Sequence, residues 1–329
     1  MKRLFITTLT LLTLAAALFA GGADEEAATI GISKYVAHPA LDAVEEAVQD
    51  RLLELGYEDV RYDLQSANAD ASTASQIAAK FKADRVDVAV AIATPNAQAL
   101  VSATDDIPVV FTAVTDPVDA ELVPSLSGGG GNVTGYSDMT PVREQIELIA
   151  EVAEVSAIGH VYSAGEANAL VLAEQAAEVA DEFGIEFITS TITNSAEVRQ
   201  ATQSIIDRVD VMYVSTDNAV VSALSTLVDV ATGAGVPVVT ADPSSAEEQE
   251  VIAAYGFDYY TMGLATGDLV ARIIDGEDPD DIPVQFLTDA EDLILHVNLD
   301  VAEELGITLP GSIVDEADKL VENGELTER

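Results

Sequence analysis

The pentapeptide Asp-Arg-Val-Asp-Val occurs twice, at residues 84–88 and 207–211. Each copy follows a helical run and opens a short apolar strand. A threonine, a helix start and a helix containing Val-Ser-Ala come next. Each half then offers a proline-led strand, IPVVFTAVTDP (107–117) and VPVVTADP (236–243). Five shared residues carry little by themselves, because buried strands are all rich in Val. The shared order of elements carries more, and it predicts two similar units in one chain.

The rest of the sequence repeats the same alternation. ATIGIS (28–33), VDVAVAI (86–92), AIGHVY (157–162), VDVMYVS (209–215) and VIAAYG (251–256) are short apolar runs of strand length. Amphipathic stretches such as ALDAVEEAVQDRLLELG (40–56) separate them, with Gly56 as a stop. Continuous apolar strands alternating with helices predict parallel sheets covered on both faces, an α/β fold of two doubly wound, Rossmann-like domains. The Gly- and Ser-rich SLSGGGGNVTGYSDMTP (125–141) reads as a crossover between them. It does not read as a phosphate loop, since it lacks the GxGxxG spacing and any following Lys-Ser/Thr.

Length and charge narrow the function. A chain of 329 residues suits two domains of ~100–200 residues each. It carries 58 acidic against 14 basic residues, a net charge of −44. Such a chain repels nucleic acid and anionic membrane surfaces. A carboxylate-rich, Lys-poor surface stays soluble where salt screens its self-repulsion, so a halophilic or salt-tolerant setting is expected. With no cysteine, disulfides, thiolate metal sites and Cys nucleophiles are excluded. Lys2 and Arg3 precede the apolar run LFITTLTLLTLAAALF (4–19), the pattern of a signal peptide (residues 1–20) cleaved after Ala20. No Cys follows for a lipid anchor. A periplasmic location is the expectation.

In an open parallel sheet, ligands bind beyond the C-terminal strand ends. At those ends the first unit offers Thr94-Pro95-Asn96, with Thr94 as N-cap and free N–H groups behind it, a place for an anion. The second offers Thr216-Asp217-Asn218 and, one strand on, Asp242. Asp116, in VTDP, is the counterpart of Asp242 in the first unit. His38 ends the first strand's loop, and Glu166 and Asn168 follow the first strand of the second unit. An anion site facing carboxylates matches a zwitterion, hence an amino acid-like ligand. Each residue taken singly also fits plain capping. No GxSxG, HExxH or paired-His spacing is present, so no catalytic site, metal or cofactor is expected.

The motifs HPALD (38–42), ATPNAQA (93–99), PVVFTAVTDPV (108–118), GGNVTGYSDMTPV (130–142), GEAN (165–168), STDN (215–218) and YGFDYY (255–260) occur in that order. Together they resemble the ABC-transporter substrate-binding proteins that include the TrpX-type tryptophan/tyrosine binders, over about residues 28–310. The resemblance implies a type I periplasmic-binding-protein fold with three crossovers. It implies an N-terminal domain of residues 28–137 plus 259–280 and a C-terminal domain of 138–258 plus 283–310, which close on a ligand. The tail 311–329 lies beyond it and reads as an acidic helix or frayed end. The resemblance also implies that the loops at Thr94–Asn96, Thr115–Asp116, Glu166–Asn168, Thr216–Asn218 and Asp242 face the ligand, with His38 supplied by HPALD. An aromatic or hydrophobic amino acid is the implied ligand and an ABC permease the implied partner, with the chain as a monomer. With no Trp in the chain, stacking would fall to residues such as Tyr35, Phe111, Phe257 or Tyr259. A sensory binding protein read by a chemoreceptor or kinase is the alternative.

Overall fold

The structure is a computed structural model that describes residues 27–128, 130–152, 154–287 and 292–329. The expected signal peptide lies outside the described residues. The first unit runs β1 (Thr29–Lys34), α1 (Pro39–Glu54), β2 (Arg61–Ser66), α2 (Ala71–Asp84), β3 (Val88–Ile92), α3 (Thr94–Ala103), β4 (Val109–Val114) and β5 (Val133–Ser137). The second begins with α4 (Val142–Val152), β6 (Ala157–Ser163), α5 (Ala167–Glu182), β7 (Glu186–Ile192), α6 (Val198–Ile205) and β8 (Val211–Val214). It continues through α7 (Asn218–Val221), α8 (Leu224–Ala234), β9 (Val238–Thr240), α9 (Pro243–Ala246) and β10 (Ala253–Phe257). The chain then returns through α10 (Tyr259–Ile274) and β11 (Gln285–Phe286) to the first sheet, and through β12 (Leu293–Asn298) to the second.

The first sheet has the order β11-β5-β4-β3-β1-β2 with every pairing parallel. Helices α1 and α10 pack together, as do α2 and α3. Strand β3 is buried at all five positions, which is why it reads as unbroken Val, Ala and Ile. In the second sheet, β7-β6-β8-β9-β10 are parallel, but β12 runs antiparallel to β10. The parallel sheets expected are present, and the second adds β12 as an antiparallel strand. β12 enters from the other domain without a covering crossover helix, so nothing turns it to run with its neighbour.

Three further differences have local causes. The Gly-rich crossover contains a strand, β5. Its Gly135 lies so close to β4 that an added Cβ would stand 2.0 Å from the Phe111 carbonyl oxygen, so glycine is required there. β11 falls within 283–310, the stretch expected in the C-terminal domain, yet it pairs with β5 in the first sheet. The tail 311–329 is neither a helix throughout nor frayed. It forms α11's neighbour α12 (Gly311–Glu316), after α11 (Leu299–Leu305), then the hairpin β13 (Lys319–Glu322) and β14 (Glu325–Glu328) on β12. Asp300 ties that hairpin down by accepting from the Asn323 and Gly324 N–H groups at 2.7 and 2.6 Å.

The repeated pentapeptide now has a physical account. Asp87 accepts a hydrogen bond from the N–H of Thr29 at 2.7 Å, at the entry of β1. Asp210 does the same at the entry of β6, from Ser156 and Ala157 at 2.8 and 3.0 Å. Val86 and Val209 are buried beside them. Both copies hold the N-terminal edge of a sheet, the end away from the ligand side of such folds. The motif repeats because it builds the same edge twice.

Candidate functional site

A small cavity lies between the two sheets' C-terminal ends. Its wall from the first unit comprises His38, Ala40 and Leu41 at the start of α1, with Ala113 and Thr115 at the end of β4. The second unit contributes Asn168, Thr216, Asn218, Val221 and Asp242, and the crossings contribute Asp138 and Tyr259.

Local sequence places each group. His38 caps α1 in an extended conformation, and Pro39 opens the helix, so the imidazole stays beside the cavity mouth. Its ring nitrogens have no well-aligned hydrogen bond, although the Asn218 amide lies beside it. Burial holds His38 below its usual pKa, against the opposing pull of Asp242. Asp242 caps α9, accepting from the N–H groups of Ser244 and Ser245 and from the Ser245 hydroxyl at 2.5 Å. Asp138 follows β5 and accepts from the Tyr259 hydroxyl at 2.9 Å and the Thr115 hydroxyl at 3.3 Å. Burial pushes Asp138 up to about 6, although these two hydrogen bonds pull it down. Asn168 donates to the Thr216 carbonyl at 3.0 Å, while its own side-chain oxygen and the Thr216 hydroxyl are buried without partners.

Behind this lining stand two more acids. Glu166 accepts from the Asn218 amide at 2.5 Å and from Ala219 N–H at 3.1 Å. Asp217 accepts from Ser163 N–H at 2.5 Å and caps α7 through Val220 N–H at 3.0 Å. Burial raises both, and their mutual repulsion helps push Asp217 up to about 8. Tyr35 lies near them and is pushed up to about 12, by burial first and then by Glu166, Asp70 and Asp217. Among the described residues, no lysine or arginine lines the cavity.

The structure brings His38, Thr115, Asn168, Thr216, Asn218 and Asp242 together around one cavity. Glu166 and Asp217 sit one layer behind. Asp116 does not join them. It accepts from Val118 and Asp119 N–H at 2.9 and 3.0 Å and holds a surface turn. Thr94 and Asn96 are buried but outside the lining, and Asn96 donates to the Ser33 hydroxyl at 2.9 Å. The N-cap of α3 is Ala93, with φ of 79°, and Thr94 is already helical, which corrects the cap expected there. Asp138, at the crossing after β5, is an acid of the cavity that sequence reasoning misses, because nothing in a Ser-Asp-Met stretch inside a Gly-rich segment marks burial. Of the candidate stacking residues, Tyr259 lines the cavity and Phe111 is interior to the first core. Among the described residues no group of three or more His, Asp or Glu is placed to hold a metal ion.

Two α/β domains closing on one small polar cavity define a solute-binding protein of the type I periplasmic-binding class. Residues 29–321 match the family described as ABC transporter substrate binding protein, and the chain belongs to that family. It is 37% identical over 269 residues to the tyrosine-binding protein of Clostridioides difficile, covering 80% of this chain and 78% of that one. A Streptococcus pneumonia ABC domain in complex with L-Trp superposes with a TM-score of 0.85 at 33% identity, covering 89% of this chain and 99% of that one. The ligand-free, open structure of a Clostridium difficile substrate-binding protein with adhesive properties gives 0.66 at 36% identity, covering 90% and 99%. Identity is nearly equal in the last two. The chain as a whole superposes more fully on the L-Trp complex than on the open form.

Proposed function

We propose that this chain is the extracytoplasmic receptor of an ABC importer, that its cavity takes one aromatic or hydrophobic amino acid, and that the closed form is presented to a membrane permease. The observation that carries the reading is the one-sided chemistry of the cavity. Carboxylates Asp138 and Asp242 and the unpartnered Asn168 oxygen face it, and among the described residues no lysine or arginine balances them. Such a site favours a guest that brings its own positive charge and donors. The ammonium goes to Asp242 and the Asn168 and Asn218 oxygens. The carboxylate is met by the Thr216 hydroxyl and His38, with Thr94 at the α3 start behind. Ala40, Leu41, Ala113 and Val221 flank an apolar side chain, and Asp138 with Tyr259 and Thr115 takes a phenol or indole donor at its far edge. The names of the relatives, a tyrosine binder and an L-Trp complex, point the same way.

On this reading the protein works as a periplasmic monomer without catalysis, and its net charge of −44 suits a saline setting. Thermal unfolding in high salt with each of the twenty amino acids tests it. A ligand at ~100 times its Kd adds ~2.7 kcal/mol of stability. A shift with Tyr, Trp or Phe supports the assignment, and no shift with any amino acid sinks it. Uptake that requires this chain together with an ABC permease separates import from sensing.

A further inference from the structure

Resting on the amino acid reading, we infer that Glu166 is a positioning residue that turns the Asn168 and Asn218 amides so that only their oxygens face the cavity, making the site selective for a free primary ammonium. Glu166 itself is absent from the cavity lining. It is buried at the start of α5, with 3% of its surface exposed. One carboxylate oxygen takes the Asn218 NH₂ at 2.5 Å, and the other takes the Ala219 N–H at 3.1 Å. The Asn168 NH₂ donates to the Thr216 carbonyl and also stands close enough to the Glu166 carboxylate to lower its pKa.

An amide side chain presents a donor or an acceptor according to which end is held. Both amides here have their nitrogen ends held at the back. The Asn168 oxygen is buried and accepts no hydrogen bond from the protein, so it is available to a donor in the cavity. It becomes satisfied when a donor arrives. Asp242 adds a formal charge on the same wall. Three acceptors on the cavity wall match in number the three N–H groups of an ammonium. A hydroxyl offers one donor and a methylene none. Without Glu166, either amide is free to turn its NH₂ toward the ligand and repel an ammonium.

The test compares wild type with Glu166→Gln. Calorimetry measures L-tyrosine, its α-hydroxy analogue and its desamino analogue, 3-(4-hydroxyphenyl)propanoate. Wild type is expected to prefer L-tyrosine over the desamino acid by about 100-fold or more, with the hydroxy acid between. Glu166→Gln is expected to cut that preference at least tenfold while the protein stays folded. An unchanged ratio, even with weaker binding of all three, overturns the inference and leaves Glu166 a structural residue. A second arm needs no ligand. In ¹⁵N-asparagine-labelled protein, the side-chain NH₂ groups of Asn168 and Asn218 should exchange slowly with solvent, and Glu166→Gln should speed the Asn218 pair. Fast exchange in wild type overturns the inference by itself. Failure of L-tyrosine and L-tryptophan to bind wild type would instead remove the amino acid reading, and the exchange result still decides the role of Glu166.

Discussion

The hydroxyl of Tyr259 donates to the carboxylate of Asp138 at 2.9 Å, across 121 positions of sequence. Asp138 sits where the chain first leaves the first sheet, and Tyr259 where it returns. Both line the cavity. One hydrogen bond therefore joins two of the crossings and one end of the site. Tyr259→Phe removes it and leaves Asp138 only the longer bond from Thr115. A hydrogen bond to a charged group contributes about 1.5–3 kcal/mol. Binding of L-tyrosine should fall about 10-fold or more by calorimetry, and the acid limb of its pH profile should move above the value near 6 set by Asp138.

Asp242→Asn separates charge from capping. Asparagine still accepts from Ser244 and Ser245 N–H, so α9 keeps its cap and Tm should change little. The lost charge opposite an ammonium should weaken L-tyrosine binding by about 10-fold or more, or ~1.5–3 kcal/mol. An affinity equal to wild type would place the ammonium elsewhere.

The buried pair Glu166 and Asp217 predicts how stability depends on pH. Burial and mutual repulsion raise the folded pKa of Asp217 to about 8, from an unfolded value near 3.8. The folded protein then holds a proton that the unfolded chain has lost, so this group's contribution is fully present below pH ~4 and is lost as pH rises through ~8. The slope is at most about 1.4 kcal/mol per pH unit for one proton. Urea midpoints between pH 5 and 9 should fall, and Asp217→Asn should flatten the fall. The variant also leaves the Ser163 N–H facing an NH₂, so its midpoint at pH 5 should lie below wild type.

Helices α1 and α10 touch through Gly263. A Cβ there would stand 2.6 Å from that of Ala47 and 2.8 Å from the Val44 carbonyl oxygen. Gly263→Ala must push the helices apart, at a cost of about 1–3 kcal/mol. Because α1 begins at His38's loop and α10 begins at Tyr259, ligand affinity should fall with stability. Calorimetry and thermal unfolding of the same variant check both.

The charge of −44 predicts a rising Tm with KCl, since salt screens repulsion that 14 basic residues cannot offset. The ion pairs that do exist, such as Arg143 with Glu182 and Arg199 with Asp229, are half exposed and contribute little. Each kcal/mol gained by screening should appear as about 2–4 °C. A Tm that falls with salt would contradict the reading.

Much of this protein was legible in its sequence because the signals are local. Unbroken apolar strands, the His38-Pro39 helix start, and Asp217 and Asp242 as caps follow from neighbours in the chain. So does the doubled Asp-Arg-Val-Asp-Val, whose Asp87 and Asp210 fasten equivalent strand entries. What tertiary structure decided is which of many acids meet. Among 58 carboxylates, Asp116 and Asp138 look alike by composition, yet one ties a surface turn and the other faces Tyr259. Glu166 shows the same limit. Its partner Asn218 is 52 positions away, and only the folding of β6 beside β8 brings the carboxylate under the amide. Local propensity fixes strands, helices and caps, whereas long-range packing fixes which buried polar groups share one space.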